Sequence, residues 1–106
     1  MWIVAGTTLQ MAEEDFGVVL PVKINGATLG NQDSIKFVFK TGVNGETLLE
    51  KEFHGIVNNT VSLVLTQGDS EKLPIGSYVY RMDWYQDGAF MCNVIPQGIF
   101  RVVDKA

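Results

Sequence analysis

From Ser77 to Gln86 the chain alternates without a break, with Tyr78, Tyr80, Met82 and Trp84 on one parity and Val79, Arg81, Asp83 and Tyr85 on the other. Successive side chains of an extended backbone point to opposite faces, so this run predicts a long strand with one buried face. Four large apolar side chains at a spacing of two cannot form a stripe on a helix. The same period recurs along the sequence, and it constrains the fold more than any other feature.

Phe16, Val18, Leu20, Val22 and Ile24 share one face, with Pro21 marking the strand as a sheet edge or a bulge because proline cannot donate to a ladder. Ile35, Phe37 and Phe39 alternate with Lys36, Val38 and Lys40, and Asn44-Gly45 signals a hairpin into a return strand from Glu46 to Phe53. Asn58-Asn59 frames the next turn before Val61, Leu63 and Leu65. Asp87-Gly88 is a second hairpin signal and leads into Ala89–Ile95. Pro96-Gln97-Gly98 reads as the last turn and Ile99–Val103 as the last strand. The segment Thr66–Leu73 is the one place where a helical turn is expected, with Asp69 or Ser70 accepting from free backbone N–H groups and Pro74 stopping it. Seven or so short strands with turns at regular spacing predict a single domain over residues 1–106. Its expected fold is all-β, an antiparallel immunoglobulin-like β-sandwich. Trp84 and Cys92 are expected on buried faces, Tyr85 exposed, and the first few residues and Lys105-Ala106 free to fray.

Composition narrows the function. The 106 residues carry 8 Lys and Arg against 12 Asp and Glu, a formal charge of -4. Nucleic acid and anionic lipid both need clustered cations, so neither is an expected partner. No run of 18 apolar residues suggests a membrane span. The opening residues lack a basic n-region, so no secretion signal is expected. One histidine, one cysteine and two arginines are a thin supply of catalytic groups. Cys92, as the only cysteine, excludes an internal disulfide.

Individual candidates weigh the same way. Glu13-Glu14-Asp15 could draw a divalent cation. In a strand, however, its carboxylates would alternate between faces, so a solvated connection is expected. His54 shares a face with Glu50 and Glu52, which makes a surface ion pair the simpler reading than a general base. Gly26-Ala27-Thr28-Leu29-Gly30 matches no phosphate-cradling pattern. Asn58-Asn59-Thr60 fits a glycosylation sequon, but nothing else points to secretion. Tyr85 alone makes a poor sugar-stacking platform. No catalytic, metal-binding or cofactor-binding residue is assigned, no cofactor is expected, and a small-molecule substrate is not expected either.

The order of these features resembles a known family. The stretches that carry the resemblance are Val22–Gly26, Ser34–Lys40, Leu63–Thr66 with its helical turn, Leu73-Pro74-Ile75-Gly76-Ser77-Tyr78-Val79-Tyr80, Asp87-Gly88 and Gly98–Val103. Together they span roughly Thr7 to Val103 and resemble the N-terminal immunoglobulin-like domain of the baseplate upper protein of phages that infect Gram-positive bacteria. The proline-glycine turn before two alternating tyrosines is the most specific piece, and it is similar to the tyrosine corner of immunoglobulin-like domains. The resemblance implies a non-enzymatic structural or protein-interaction module. Such a module would be a phage or prophage tail component, assembled in the bacterial cytoplasm, with itself or other tail subunits as partners. The alternative is a carbohydrate- or protein-binding module of a bacterial surface system. Glu46–Phe53 and Phe16–Ile24 are the expected free edges.

Overall fold

The structure, a computed structural model, describes residues 2–25, 28–30 and 32–104. The expected loop residues Gly26 and Ala27 and the expected fraying pair Lys105-Ala106 lie outside them. The strands are β1 (Ile3–Ala5), β2 (Thr8–Ala12), β3 (Leu20–Lys23), β4 (Asp33–Lys40), β5 (Thr47–Phe53), β6 (Thr60–Leu63), β7 (Gly76–Gln86) and β8 (Ala89–Val103). They form a six-stranded sheet in the order β1-β2-β8-β7-β4-β5 and a two-stranded sheet of β3 and β6.

The chain is all-β, and its strand order is that of an immunoglobulin-like sandwich. The contiguous β4-β7-β8 trio takes the places of strands C, F and G, with β5 added beyond C, and β3–β6 makes the facing B–E pair. Every ladder is antiparallel except β2 with β8, where Leu9 lies beside Phe100 and Met11 beside Val102.

Alternation places the core as the sequence requires. Ile35 pairs with Trp84, Phe37 with Met82 and Phe39 with Tyr80, so these side chains share the inner face of one sheet rather than opposing one another. Phe37, Phe39, Tyr80, Met82 and Phe100 are each no more than 1% exposed, and the Phe39 and Phe100 rings meet at 4.8 Å. Leu63, Leu65 and Val61 complete the core from the β6 side. Truncating one such ring would cost about 3–5 kcal/mol. Trp84 is half-buried against the edge of this cluster.

Tyr78 makes the tyrosine corner. Its hydroxyl donates to the Pro74 carbonyl in the turn just before β7, as in domains of this class. Tyr80, two residues on, donates to the Thr7 carbonyl at 2.5 Å and so ties β7 to the turn between β1 and β2.

Several local expectations change. The first residues are not frayed: Gly6, at φ 62, turns Ile3–Ala5 back onto Thr8–Ala12. Pro96-Gln97-Gly98 is no turn, because β8 runs through it. The ladder jumps from Tyr80–Gly98 to Met82–Ile95, and a bulge absorbs the proline's missing donor. Asn44-Gly45 closes a wider loop, with the Thr41 N–H bonded to the Glu46 carbonyl at 3.0 Å. Asp87 (φ 52) and Gly88 (φ 84) do form the tight left-handed hairpin turn.

A 3₁₀ turn spans Gln67–Glu71 as expected, and the Asp69 carboxylate accepts from the Thr66 N–H at 2.8 Å. A second one, which was not expected, spans Glu13–Asp15. A carboxylate three residues inside such a turn can reach back to the free N–H at its start, and Asp15 does this for Ala12 at 2.9 Å.

Candidate surfaces: an open cleft and a hairpin arm

Three buried carboxylates, Asp15, Asp33 and Asp69, are committed to holding backbone. Burial works to raise the Asp69 carboxyl, but the Thr66 N–H and the Lys51 ammonium, 3.1 Å away, outweigh it and hold it below the ordinary carboxylate range. Asp15 behaves alike: its burial is outweighed by the hydrogen bonds it accepts, that from the Ala12 N–H among them. Asp83 is 2% exposed on the outer sheet face and accepts from Arg81 Nε at 2.8 Å and Asn93 Nδ2 at 2.5 Å. Burial pushes the Tyr80 phenol up to about 12, so it stays a donor to Thr7 at all ordinary pH.

The remaining candidates are placed as follows. His54 Nε2 lies 3.0 Å from Glu52 Oε1 with both side chains well exposed, which is the surface pair expected from the sequence. Glu13 and Glu14 are exposed on their 3₁₀ turn, while Asp15 turns inward. This corrects the strand reading of that acidic run. Among the described residues, no three His, Cys, Asp or Glu side chains converge as a metal site.

Cys92 is exposed, which corrects its expected burial. It does share the Trp84 face. However, β8 is exposed from Ala89 to Asn93, so this end of the face is open to solvent. Tyr85 is half-buried rather than exposed, with Phe90 packed edge-on at 5.6 Å and Lys36 Nζ 5.2 Å from its ring centre.

Among the described residues, most of the exposed large apolar side chains gather at two surfaces, with Val43, Val57, Ile75 and Ile99 exposed singly elsewhere. One is an open side of the sandwich. In the immunoglobulin arrangement a first strand lies against the strand equivalent to β3. Here β1 turns back on β2 instead, and β3 pairs with β6 alone. Both expected edges, β5 and β3, are therefore edges of their sheets, although β3 starts only at Leu20 because Phe16-Gly17 turns. The Ile24 N–H bonds Asn59 on the β6 side, so alternation directs the backbone groups of Pro21 and Lys23 to the free side.

The result is a cleft of about 260 Å³ floored by Phe37, Tyr80 and Met82, walled by Val4, Leu20 and Val22, and edged by Lys23. Trp2 Nε1 donates to the Val18 carbonyl at 2.9 Å and bridges from the β1 end to the segment before β3. Ile3, Val4, Val18 and Val19, on β1 and just before β3, are each about half exposed.

The second surface is the arm made by the outer half of the β7–β8 hairpin. Residues Ala89 to Asn93 are exposed on both faces, with Phe90 at 54% and Met91 at 45%. Three register shifts within β7–β8 twist this arm. Sequence reasoning missed both surfaces. Alternation reports which parity a side chain occupies, but not whether a facing sheet extends far enough to cover it.

The chain matches no model of a known protein family, and no curated protein matches it.

Proposed function

We propose that this chain is a non-enzymatic structural or protein-interaction module, a component of a phage or prophage tail or baseplate. The observation that carries the interaction reading is the distribution of exposed apolar groups. Most lie at two places, the rim of the β1/β3 cleft and the β7–β8 arm, while the buried carboxylates of Asp15 and Asp69 are spent on capping backbone. Contiguous apolar patches with polar surroundings are features of surfaces that meet other proteins. The tail setting rests on the likeness of Leu73–Tyr80 and its neighbouring stretches to baseplate upper protein domains. The tyrosine corner at Tyr78 is consistent with that likeness.

The direct test is deletion of the gene from an inducible prophage, with purified particles analysed by mass spectrometry. The expected outcome is that the protein is found in wild-type particles and that its loss leaves incomplete or non-infectious ones. Complete, infectious particles that never contain it would overturn the proposal.

A further inference from the structure

The two uncovered surfaces complement each other. The cleft is apolar, and the one charged residue among those lining it is the cation Lys23. The arm from Trp84 to Val94 presents Phe90 and Met91 to solvent, and its one charged residue is the anion Asp87, at the hairpin tip. Elsewhere two copies of a chain with net charge -4 repel each other. Here one surface offers a narrow apolar cleft with an accessible rim and a cation at its mouth, and the other an apolar projection with an anion at its end. We propose that the β7–β8 arm of one copy docks in the β1/β3 cleft of a second copy, with Phe90 and Met91 over the apolar rim and Asp87 beside Lys23.

Arm and cleft are different patches, so the contact is head-to-tail. Such contacts close into rings or run on as filaments, according to the rotation between successive copies. A standard patch of roughly 800 Å² per partner is about an eighth of the 6044 Å² surface, so each copy can give an arm and receive one at once. The inference rests on the protein-interaction reading above and adds to it the partner, the two faces and the symmetry.

The test is sedimentation velocity of the purified chain over a concentration series, with Lys23→Glu, Asp87→Lys and an equimolar mixture of the two. The parent is expected to self-associate, and each variant alone to do so at least tenfold more weakly. Each variant brings like charges together at every contact it makes with itself. In the mixture both possible contacts again join opposite charges, and association returns. Asp87 sits at φ 52, so Asp87→Asn, which tolerates that backbone, removes the same charge if the lysine variant does not fold, and it should weaken association in the same direction.

A parent that stays monomeric throughout, single variants that associate like the parent, or a mixture as weak as its components would each overturn the docking. A monomeric protein that is nonetheless found in purified particles refutes this inference alone. A self-associating protein absent from particles refutes the tail assignment alone.

Discussion

Gly98 is buried on β8 directly across from Tyr80, and a methyl group placed there would meet the Tyr80 ring at 2.5 and 2.7 Å and the Thr7 carbonyl oxygen at 2.9 Å. Its backbone is not in the left-handed region, so the penalty of Gly98→Ala is steric alone. The ring cannot step aside cheaply, because Tyr80 is 1% exposed and packs against Phe37 and Phe39, both with ring centres at 6.4 Å. Overpacking of this kind costs about 1–3 kcal/mol. Any ring shift also stretches the hydroxyl bond to Thr7, worth about 1 kcal/mol. The expected loss is thus about 2–4 kcal/mol out of a total near 5–15 for a domain of this size. Urea unfolding followed by tryptophan fluorescence should show a midpoint about 1–2 M lower. In a Tyr80→Leu background the ring is gone, and most of the Gly98→Ala penalty should vanish. A loss under about 0.5 kcal/mol in the parent, or the same loss in both backgrounds, would refute the packing argument.

Three further outcomes follow from the same geometry. Tyr78→Phe removes the corner bond to Pro74 and should lower stability by about 1 kcal/mol, read as a shift in Tm with the fold retained by circular dichroism. Cys92, being exposed on the single chain, should react with a thiol reagent in native protein diluted to the monomer about as fast as in urea; protection of that monomer which disappears only on unfolding would contradict its exposure. The depressed Asp69 carboxyl adds stability that is fully present above its unfolded pKa near 4 and is lost as pH falls through its lower folded value. Lys51→Met should therefore destabilise the domain at neutral pH by an amount that shrinks as the pH falls through the lowered Asp69 value, and a deficit that is constant with pH would contradict the pairing.

The strand pattern was legible wherever one face is buried along a whole element. Ile35, Phe37 and Phe39 and the Tyr78–Met82 run fall on the inner face because the pleat leaves their parity no other place. Cys92 was misjudged for the complementary reason. Its parity is right, since it shares the face of Trp84, but that end of the face lies open to solvent. Glu13–Asp15 was misread because its turn is made by the Asp15 carboxylate bonding backwards, an interaction that leaves no trace in hydrophobic periodicity. The β1–β2 hairpin was missed because it is short and its first strand is exposed throughout. The open cleft depends on which neighbour β1 chooses, a long-range pairing that no local signal encodes.

The parallel ladder of β2 with β8 has a consequence for synthesis. Leu9 and Phe100 complete the same stretch of sheet, yet one leaves the ribosome long before the other. The loop closure that joins them is entropically slow, and it cannot begin until β8 has emerged. Until then Phe37, Phe39 and Tyr80 lack the Phe100 and Leu9 side chains that finish their enclosure. The nascent chain therefore passes through translation with its stickiest strands unsealed, a period in which holdase chaperones would have most to bind.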